Sequence, residues 1–228
     1  MYEAFWLDRW KRNQIGFHDA EINQNLREFW HVLDAAPSAT VFVPLCGKSK
    51  DMLWLRERGH FVIGVELSRL AVAAFFSENG LTPRWTRQGR FDVCEDDGLQ
   101  IKCGNFFDLT RDDLSNVTAV YDRAALVALP PEMQKAYVAH TTHLLSAGTR
   151  TLLLTHEFAD SEIEGPPFSI SEVDAQRLYG RGADIRLLSR QPAVWTREDD
   201  VVASPSSVHS CVFIVNGSSR RGGSIELR

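Results

Sequence analysis

Apolar and polar positions follow two periods along the chain, and their alternation predicts strands separated by helices. Apolar runs rich in β-branched residues occupy 40–44 and 60–65, and their length is typical of buried strands. The segment 49–58 between them has a helix-forming composition, and Gly59 ends it. Together these three elements predict a βαβ unit.

The same alternation continues through the chain. Ser68 is suited to cap a helix that carries an apolar stripe and ends near 79–80. A helix opened by proline is expected at 131–145, between strands at 117–121 and 149–155. The near-continuous apolar run of the last strand is typical of a buried parallel sheet. The predicted fold class is therefore α/β and doubly wound.

Shorter elements complete the pattern. Two alternating segments, 91–95 and 99–103, flank a turn and predict a hairpin inserted before the third strand of the sheet, into which it runs. A short helix near 171–179 and strands at 185–188 and 208–215 are expected near the C-terminal end.

Length and composition favour one globular domain. The 228 residues suit one α/β core, and 44% apolar with 24% charged residues exclude a disordered or fibrous chain. We expect this domain over 1–216, with N-terminal lid helices within 1–35 and a flexible tail at 217–228. No apolar run approaches the roughly 20 residues that cross a bilayer, and no signal-peptide core is visible, so a cytoplasmic protein is expected.

Charge and metal-binding residues restrict the partners. The chain has 25 basic and 30 acidic residues, and the basic ones are scattered, so a small molecule is expected rather than nucleic acid or a membrane. His140 and His143 lack a third ligand nearby in the sequence, so they are interpreted as surface residues and no metal is expected. Four cysteines without a C-x-x-C pair are expected to be free thiols: Cys46, Cys94, Cys103 and Cys211.

Three motifs stand where predicted strands end, the edge at which open parallel sheets bind ligands. The loop 44–49 reads Pro-Leu-Cys-Gly-Lys-Ser and follows the first strand. Glu66 ends the second strand 19 residues after Gly47, the position at which an acid binds the ribose hydroxyls of an adenosine. Asp122 and Arg123 end the fourth strand.

The single glycine of the first loop decides between cofactors. A pyrophosphate needs several glycines for close backbone approach, and only Gly47 is present. S-adenosylmethionine carries an adenosine without a phosphate, so one glycine and a ribose-binding acid suffice. Interpretations without a binding role stay open for each motif: Glu66 as a solvated strand end, Gly47 as an ordinary turn, and a local ion pair between Asp122 and Arg123.

Two other functions are compatible with parts of this pattern. Gly47, Lys48 and Ser49 match the end of a P-loop, but Phe42 takes the place of its first glycine and Pro44 removes an N–H, which disfavours a P-loop-like nucleotide hydrolase. A non-catalytic module that binds adenosine nucleosides would use the same pocket.

Longer stretches of sequence carry a resemblance. The segments are 5–10 (Phe-Trp-Leu-Asp-Arg-Trp), 16–18 (Gly-Phe-His), 42–48 (Phe-Val-Pro-Leu-Cys-Gly-Lys), 58–66, 105–109, 121–128 and 165–168 (Gly-Pro-Pro-Phe). In this order they resemble the thiopurine S-methyltransferase family, particularly its bacterial form, over nearly the whole chain. The resemblance implies a mostly parallel, seven-stranded Rossmann-like methyltransferase sheet with helices on both faces.

The resemblance also implies S-adenosylmethionine as cofactor, with S-adenosylhomocysteine as product. Glu66 would accept hydrogen bonds from the ribose hydroxyls, Phe106 would flank the adenine, and backbone near Leu45 would meet the methionine end. The residues implied around the cofactor are Trp10, Leu45, Gly47, Glu66, Asn105, Phe106 and Arg123.

The implied acceptor is the sulfur of a thiopurine or another small aromatic thiol, and bacterial relatives are associated with selenium and tellurium compounds as well. Phe17 and His18 would belong to a lid beside the acceptor, near Pro166 and Pro167, although His18 is also compatible with a surface or capping role. Trp6 is equally compatible with a core anchor. A monomer is expected.

Arg123 is the predicted catalytic residue, through positioning and charge. An aromatic thiol is substantially ionised near neutral pH, so no general base is assigned. The chain departs from the family at Ala124, where Asp-Arg-Gly is common, so the backbone after Arg123 is expected to differ slightly. The segment 191–209 follows the family weakly, and acceptor contacts cannot be transferred to it.

Overall fold

The computed structural model describes residues 2–159, 165–180, 183–193 and 207–217. The predicted tail lies outside these residues, apart from Gly217. Within them the helices are α1 (Tyr2–Lys11), α2 (Gln24–Phe29), α3 (Asp51–Glu57), α4 (Arg69–Glu78), α5 (Pro131–Leu144) and α6 (Glu172–Tyr179). The strands are β1 (Thr40–Val43), β2 (Phe61–Glu66), β3 (Arg84–Gln88), β4 (Phe91–Asp96), β5 (Leu99–Cys103), β6 (Val117–Arg123), β7 (Arg150–Glu157), β8 (Asp184–Pro192) and β9 (His209–Asn216).

These strands form one sheet in the order β3-β4-β5-β2-β1-β6-β7-β9-β8. The central strands β5, β2, β1, β6 and β7 are parallel, whereas β9 and β8 are antiparallel. The seven strands from β5 to β8 are the predicted methyltransferase sheet, and the inserted hairpin runs into β5 as predicted. The strand β3 was not predicted from the sequence; it pairs with β4 and brings the sheet to nine strands among the described residues.

Helices cover both faces of the sheet because neighbouring residues of each central strand point in opposite directions. In β1, Phe42 packs in the layer that contains residues of α5 and α6. Val41 packs in the other layer, with residues of α2, α3 and α4. The doubly wound α/β prediction is therefore confirmed.

The side chains that begin two helices also fix the loops before them. Ser68 accepts a hydrogen bond from the backbone N–H of Ala71 at 3.3 Å, which confirms it as the cap of α4. Ser171 and Asp174 form a reciprocal capping box at the start of α6. The four cysteines are free thiols, as predicted. Among the described residues, no helix has the length and apolar character needed to span a bilayer.

Candidate functional site

Glu66 joins the ends of two neighbouring parallel strands. Its Oε2 accepts a hydrogen bond from the backbone N–H of Gly47 at 2.9 Å, and its Oε1 accepts one from that of Ser68 at 2.7 Å. The residue is only 6% exposed, so the interpretation of Glu66 as a solvated strand end is wrong. Each carboxylate oxygen keeps a further lone pair that can accept a hydroxyl hydrogen bond.

Burial and hydrogen bonding act in opposite directions on this carboxyl group. Burial raises the pKa of Glu66, while the N–H groups of Ser68 and Gly47 favour the ionised form and lower it; the net shift is upward. The group is thus held in one orientation by backbone donors and carries no partner cation among these contacts.

The loop between β1 and α3 has an unusual backbone. Leu45 and Gly47 both have positive φ, +44° and +53°. This left-handed region of backbone conformation disfavours residues that carry a Cβ atom, so glycine is its usual occupant. A Cβ on Gly47 would also lie 3.4 Å from the indole ring of Trp10, because α1 passes over this loop. Gly47 is therefore more than an ordinary turn residue, since in this conformation its N–H donates to Glu66.

Lys48 does not point into a phosphate cradle. Its Nζ lies 2.8 Å from Oε1 of Glu78, near the end of α4. With Pro44 removing one N–H from the loop, this ion pair gives no support to the P-loop alternative.

A cavity opens at this edge of the sheet, between the strand ends and α1. Its lining includes every residue predicted around the cofactor: Trp10, Leu45, Gly47, Glu66, Asn105, Phe106 and Arg123. Asn105 accepts a hydrogen bond from the N–H of Phe107 and donates one to Glu3 at 2.6 Å, so it also ties α1 to the sheet.

Phe106 is largely part of the core. Its ring packs against Tyr137 at a centroid distance of 4.8 Å and against His140 at 5.3 Å. The next residue, Phe107, also lines the cavity and is 37% exposed, but it was not among the residues predicted from the sequence. His140 was predicted to be a surface residue but is half-buried, with its Nε2 enclosed, whereas His143 is exposed as predicted.

Arg123 is held between two carboxylates. Its two terminal nitrogens lie 3.3 Å from Asp19 and 3.4 Å from Asp51. Asp51 is fully buried and accepts hydrogen bonds from the Tyr121 hydroxyl at 2.9 Å and from the N–H of Asn23 at 2.8 Å. The guanidinium is thereby fixed in a plane, and its charge is matched on both sides.

Asp122 does not pair with Arg123. It is buried and accepts hydrogen bonds from the Tyr137 hydroxyl at 2.7 Å and from the N–H of Leu126 at 3.3 Å. Burial raises its pKa to about 6. The alternative of a surface ion pair between Asp122 and Arg123 is therefore wrong, because their side chains lie on opposite faces of the sheet.

The N-terminal segment covers this edge of the sheet. The ring of Phe17 makes edge contacts with Trp6 at 5.4 Å and with Trp10 at 5.6 Å. Phe17 and His18 line the first cavity and also an adjoining one, which is bordered by Pro166 and Pro167. All the residues predicted near the acceptor thus meet at the second cavity, with Arg123 between the two.

His18 is half-buried in this segment. Burial lowers its pKa, and the positive charges of Lys48 and Arg123 act in the same direction. The neutral imidazole is therefore favoured beside the second cavity.

Known proteins of one family are similar to this chain over most of its length. A family model described as thiopurine S-methyltransferase matches residues 1–213. The thiopurine S-methyltransferase of Nitrosospira multiformis is 51% identical over 190 residues, which cover 83% of this chain and 86% of that protein. The one of Pseudomonas fluorescens is 43% identical over 217 residues, or 95% and 100% of the two chains.

Solved structures of lower identity share the fold. The 1,6-didemethyltoxoflavin-N1-methyltransferase of Burkholderia thailandensis, with bound S-adenosylhomocysteine, has a TM-score of 0.62 at 15% identity and covers 95% of this chain and 87% of its own. The magnesium protoporphyrin IX methyltransferase of Synechocystis, with bound S-adenosylmethionine, has a TM-score of 0.58 at 13% identity, over 95% and 98%.

Proposed function

Because the chain belongs to the thiopurine S-methyltransferase family, we propose that it methylates the sulfur of thiopurines or other small aromatic thiols. It is a methyltransferase, and its cofactor is S-adenosylmethionine, which supplies an electrophilic sulfonium methyl when bound. Selenium and tellurium compounds are included in the proposal as softer acceptors of the same kind.

The observation that carries the cofactor assignment is the arrangement of Glu66 and Gly47. An acid fixed at the end of β2 by two backbone N–H groups presents its remaining lone pairs to a ribose. The neighbouring loop has one glycine and an internally paired lysine, which suits an amino acid tail better than a pyrophosphate. The cavity between this loop and Phe107 would hold the rest of the cofactor.

Arg123 would position the acceptor where the two cavities meet. Asp51 is buried and holds one side of the guanidinium, whereas Asp19 belongs to the covering segment and is more exposed, at 44% of its side chain. An anionic thiolate that approaches Arg123 would take the place of Asp19. Charge matching and alignment would then promote the displacement without a general base.

We further propose that residues 1–35 form a lid on a single domain over 1–216. Within this segment the rings of Trp6 and Trp10 contact Phe17 beside the cavities, and Asp19 forms the ion pair that joins the segment to Arg123 of the sheet. A closed lid would exclude water from the reacting groups. A cytoplasmic location, a monomeric state and the absence of nucleic acid partners stay predictions made from the sequence.

Turnover with S-adenosylmethionine radiolabelled in its methyl group tests this function. Label should pass to an aromatic thiol in step with release of S-adenosylhomocysteine. Tight cofactor binding with no transfer to any thiol would instead support the non-catalytic binding module. ATP hydrolysis without methyl transfer would support the nucleotide hydrolase.

A further inference from the structure

His156 lines the second cavity, beside the proposed acceptor, and has no role in the mechanism described so far. It stands near the carboxyl end of β7 and lines the second cavity with Arg123, Pro166 and Pro167. Its Nδ1 is buried and has no hydrogen-bond partner among the residues that the structure describes. A buried polar atom without a partner costs stability, so its presence beside a ligand cavity points to a role in binding.

The sheet register places this imidazole close to Arg123. Arg123 in β6 is the parallel partner of Leu154 in β7, and registered side chains share one face. His156 follows Leu154 by two residues, which places it about 7 Å further along the same face. The strand end is held in place, since the N–H of Ile170 donates to the backbone oxygen of His156 at 2.8 Å.

The imidazole is kept neutral at this position. Burial lowers the pKa of His156 to about 4, and the charge of Arg123 acts in the same direction. A neutral imidazole offers one N–H donor and one nitrogen acceptor. It therefore complements the ring nitrogen of a flat heterocycle without adding charge to the thiolate site.

We propose that His156 determines acceptor specificity by forming a hydrogen bond with a ring nitrogen of heteroaromatic thiols, which favours them over carbocyclic thiols. This rests on the proposed thiol methylation. A site built to hydrogen-bond a substrate atom rejects the analogue that lacks it, because its own polar group is then left unpaired.

Pyridine-4-thiol, pyridine-2-thiol and thiophenol test this inference, because the first two carry a ring nitrogen that thiophenol lacks and their intrinsic reactivities cancel when the ratios of parent and variant are compared. His156→Phe removes both hydrogen-bonding atoms and keeps a flat ring, whereas His156→Gln keeps a donor and an acceptor. For at least one pyridinethiol, the ratio of its kcat/KM to that of thiophenol should fall about tenfold or more in His156→Phe and recover to within about threefold in His156→Gln.

Unchanged ratios in a folded His156→Phe protein that still methylates thiophenol would overturn the specificity role and leave the proposed function intact. Failure of the parent to methylate any of these thiols would instead count against the function itself. If His156→Phe does not fold, NMR of the imidazole nitrogens of His156 in the parent protein tests the inference instead. They should shift when a pyridinethiol is added with S-adenosylhomocysteine, and equal shifts with thiophenol would overturn the inference.

Discussion

The Glu66 carboxylate accepts a hydrogen bond from the backbone N–H of Gly47 at 2.9 Å, so the end of β2 holds the loop that follows β1. The bond crosses 19 positions of sequence and joins the residues proposed to meet the ribose and the methionine end of the cofactor. In the proposed complex, orientation of the loop and recognition of the ribose would therefore depend on the same side chain.

Replacement of Glu66 should weaken cofactor binding. Glu66→Gln keeps one oxygen but presents an NH2 group to the N–H of either Gly47 or Ser68, so it disturbs both the loop and the ribose site. Titration calorimetry with S-adenosylhomocysteine should show a loss of about 1.5–3 kcal/mol. Glu28→Gln, on the exposed side of α2, serves as the control. If both variants bind S-adenosylhomocysteine with the affinity of the parent, Glu66 does not contribute to the cofactor site.

Substitution of Arg123 separates the contribution of its charge to kcat/KM from that of its planar geometry. Two different nitrogens of its guanidinium reach Asp19 and Asp51, and a lysine cannot hold both positions. Both Arg123→Lys and Arg123→Ala should therefore lose about tenfold or more in kcat/KM for an aromatic thiol, roughly 1.4 kcal/mol or above. Arg84→Ala, exposed on β3, should retain the parent's steady-state rates. Parent-like kinetics in Arg123→Ala would show that the acceptor lies elsewhere.

Ala124 has a backbone conformation that suits glycine. Its φ of +61° lies in the left-handed region, where a Cβ is unfavourable. Ala124→Gly should therefore raise the free energy of unfolding, by up to about 1 kcal/mol after the entropic cost of glycine. Ala136→Gly, exposed in α5, should lower it by about 0.5–1 kcal/mol. Chemical denaturation measures both changes, and a destabilised Ala124→Gly would contradict the strain at this residue.

Acid should destabilise the protein partly through His156. Its pKa is lowered from 6.5 to about 4 in the folded chain, so between these values only the unfolded state binds the proton. The free energy of unfolding should then fall as the pH falls, by up to about 1.4 kcal/mol per pH unit from this group. His156→Gln should lack this component when denaturation is compared at about pH 7 and about pH 5. Parallel pH dependence in both proteins would mean that His156 is not held neutral.

Strands buried on both faces could be predicted from local pattern, whereas the edge strand β3 could not. Strands such as β1 and β7 are buried on both faces, so their sequences are continuous apolar runs. By contrast β3 reads Arg-Trp-Thr-Arg-Gln, because it is an edge strand with much of its surface in solvent. Its pairing depends on β4 and leaves little trace in its own sequence.

The same distinction applies to the site. Glu66 and Arg123 follow predicted strands, so topology alone brings them to one edge of the sheet. The contacts of Asp19 and Asp51 with Arg123 span 104 and 72 positions of sequence, and a local motif carries no signal for them. His156 was missed because a single histidine at a strand end becomes distinctive only when its cavity and unpaired nitrogen are seen.

Transfer of a methyl group to a thiol sulfur is tested most directly by NMR of the product formed from a thiopurine and isotopically methyl-labelled S-adenosylmethionine. The labelled methyl should appear on sulfur alone, with one S-adenosylhomocysteine released for each product molecule. Label on a ring nitrogen, or no labelled product from an enzyme that binds S-adenosylhomocysteine, would contradict sulfur methylation at the Glu66 and Arg123 edge of the sheet.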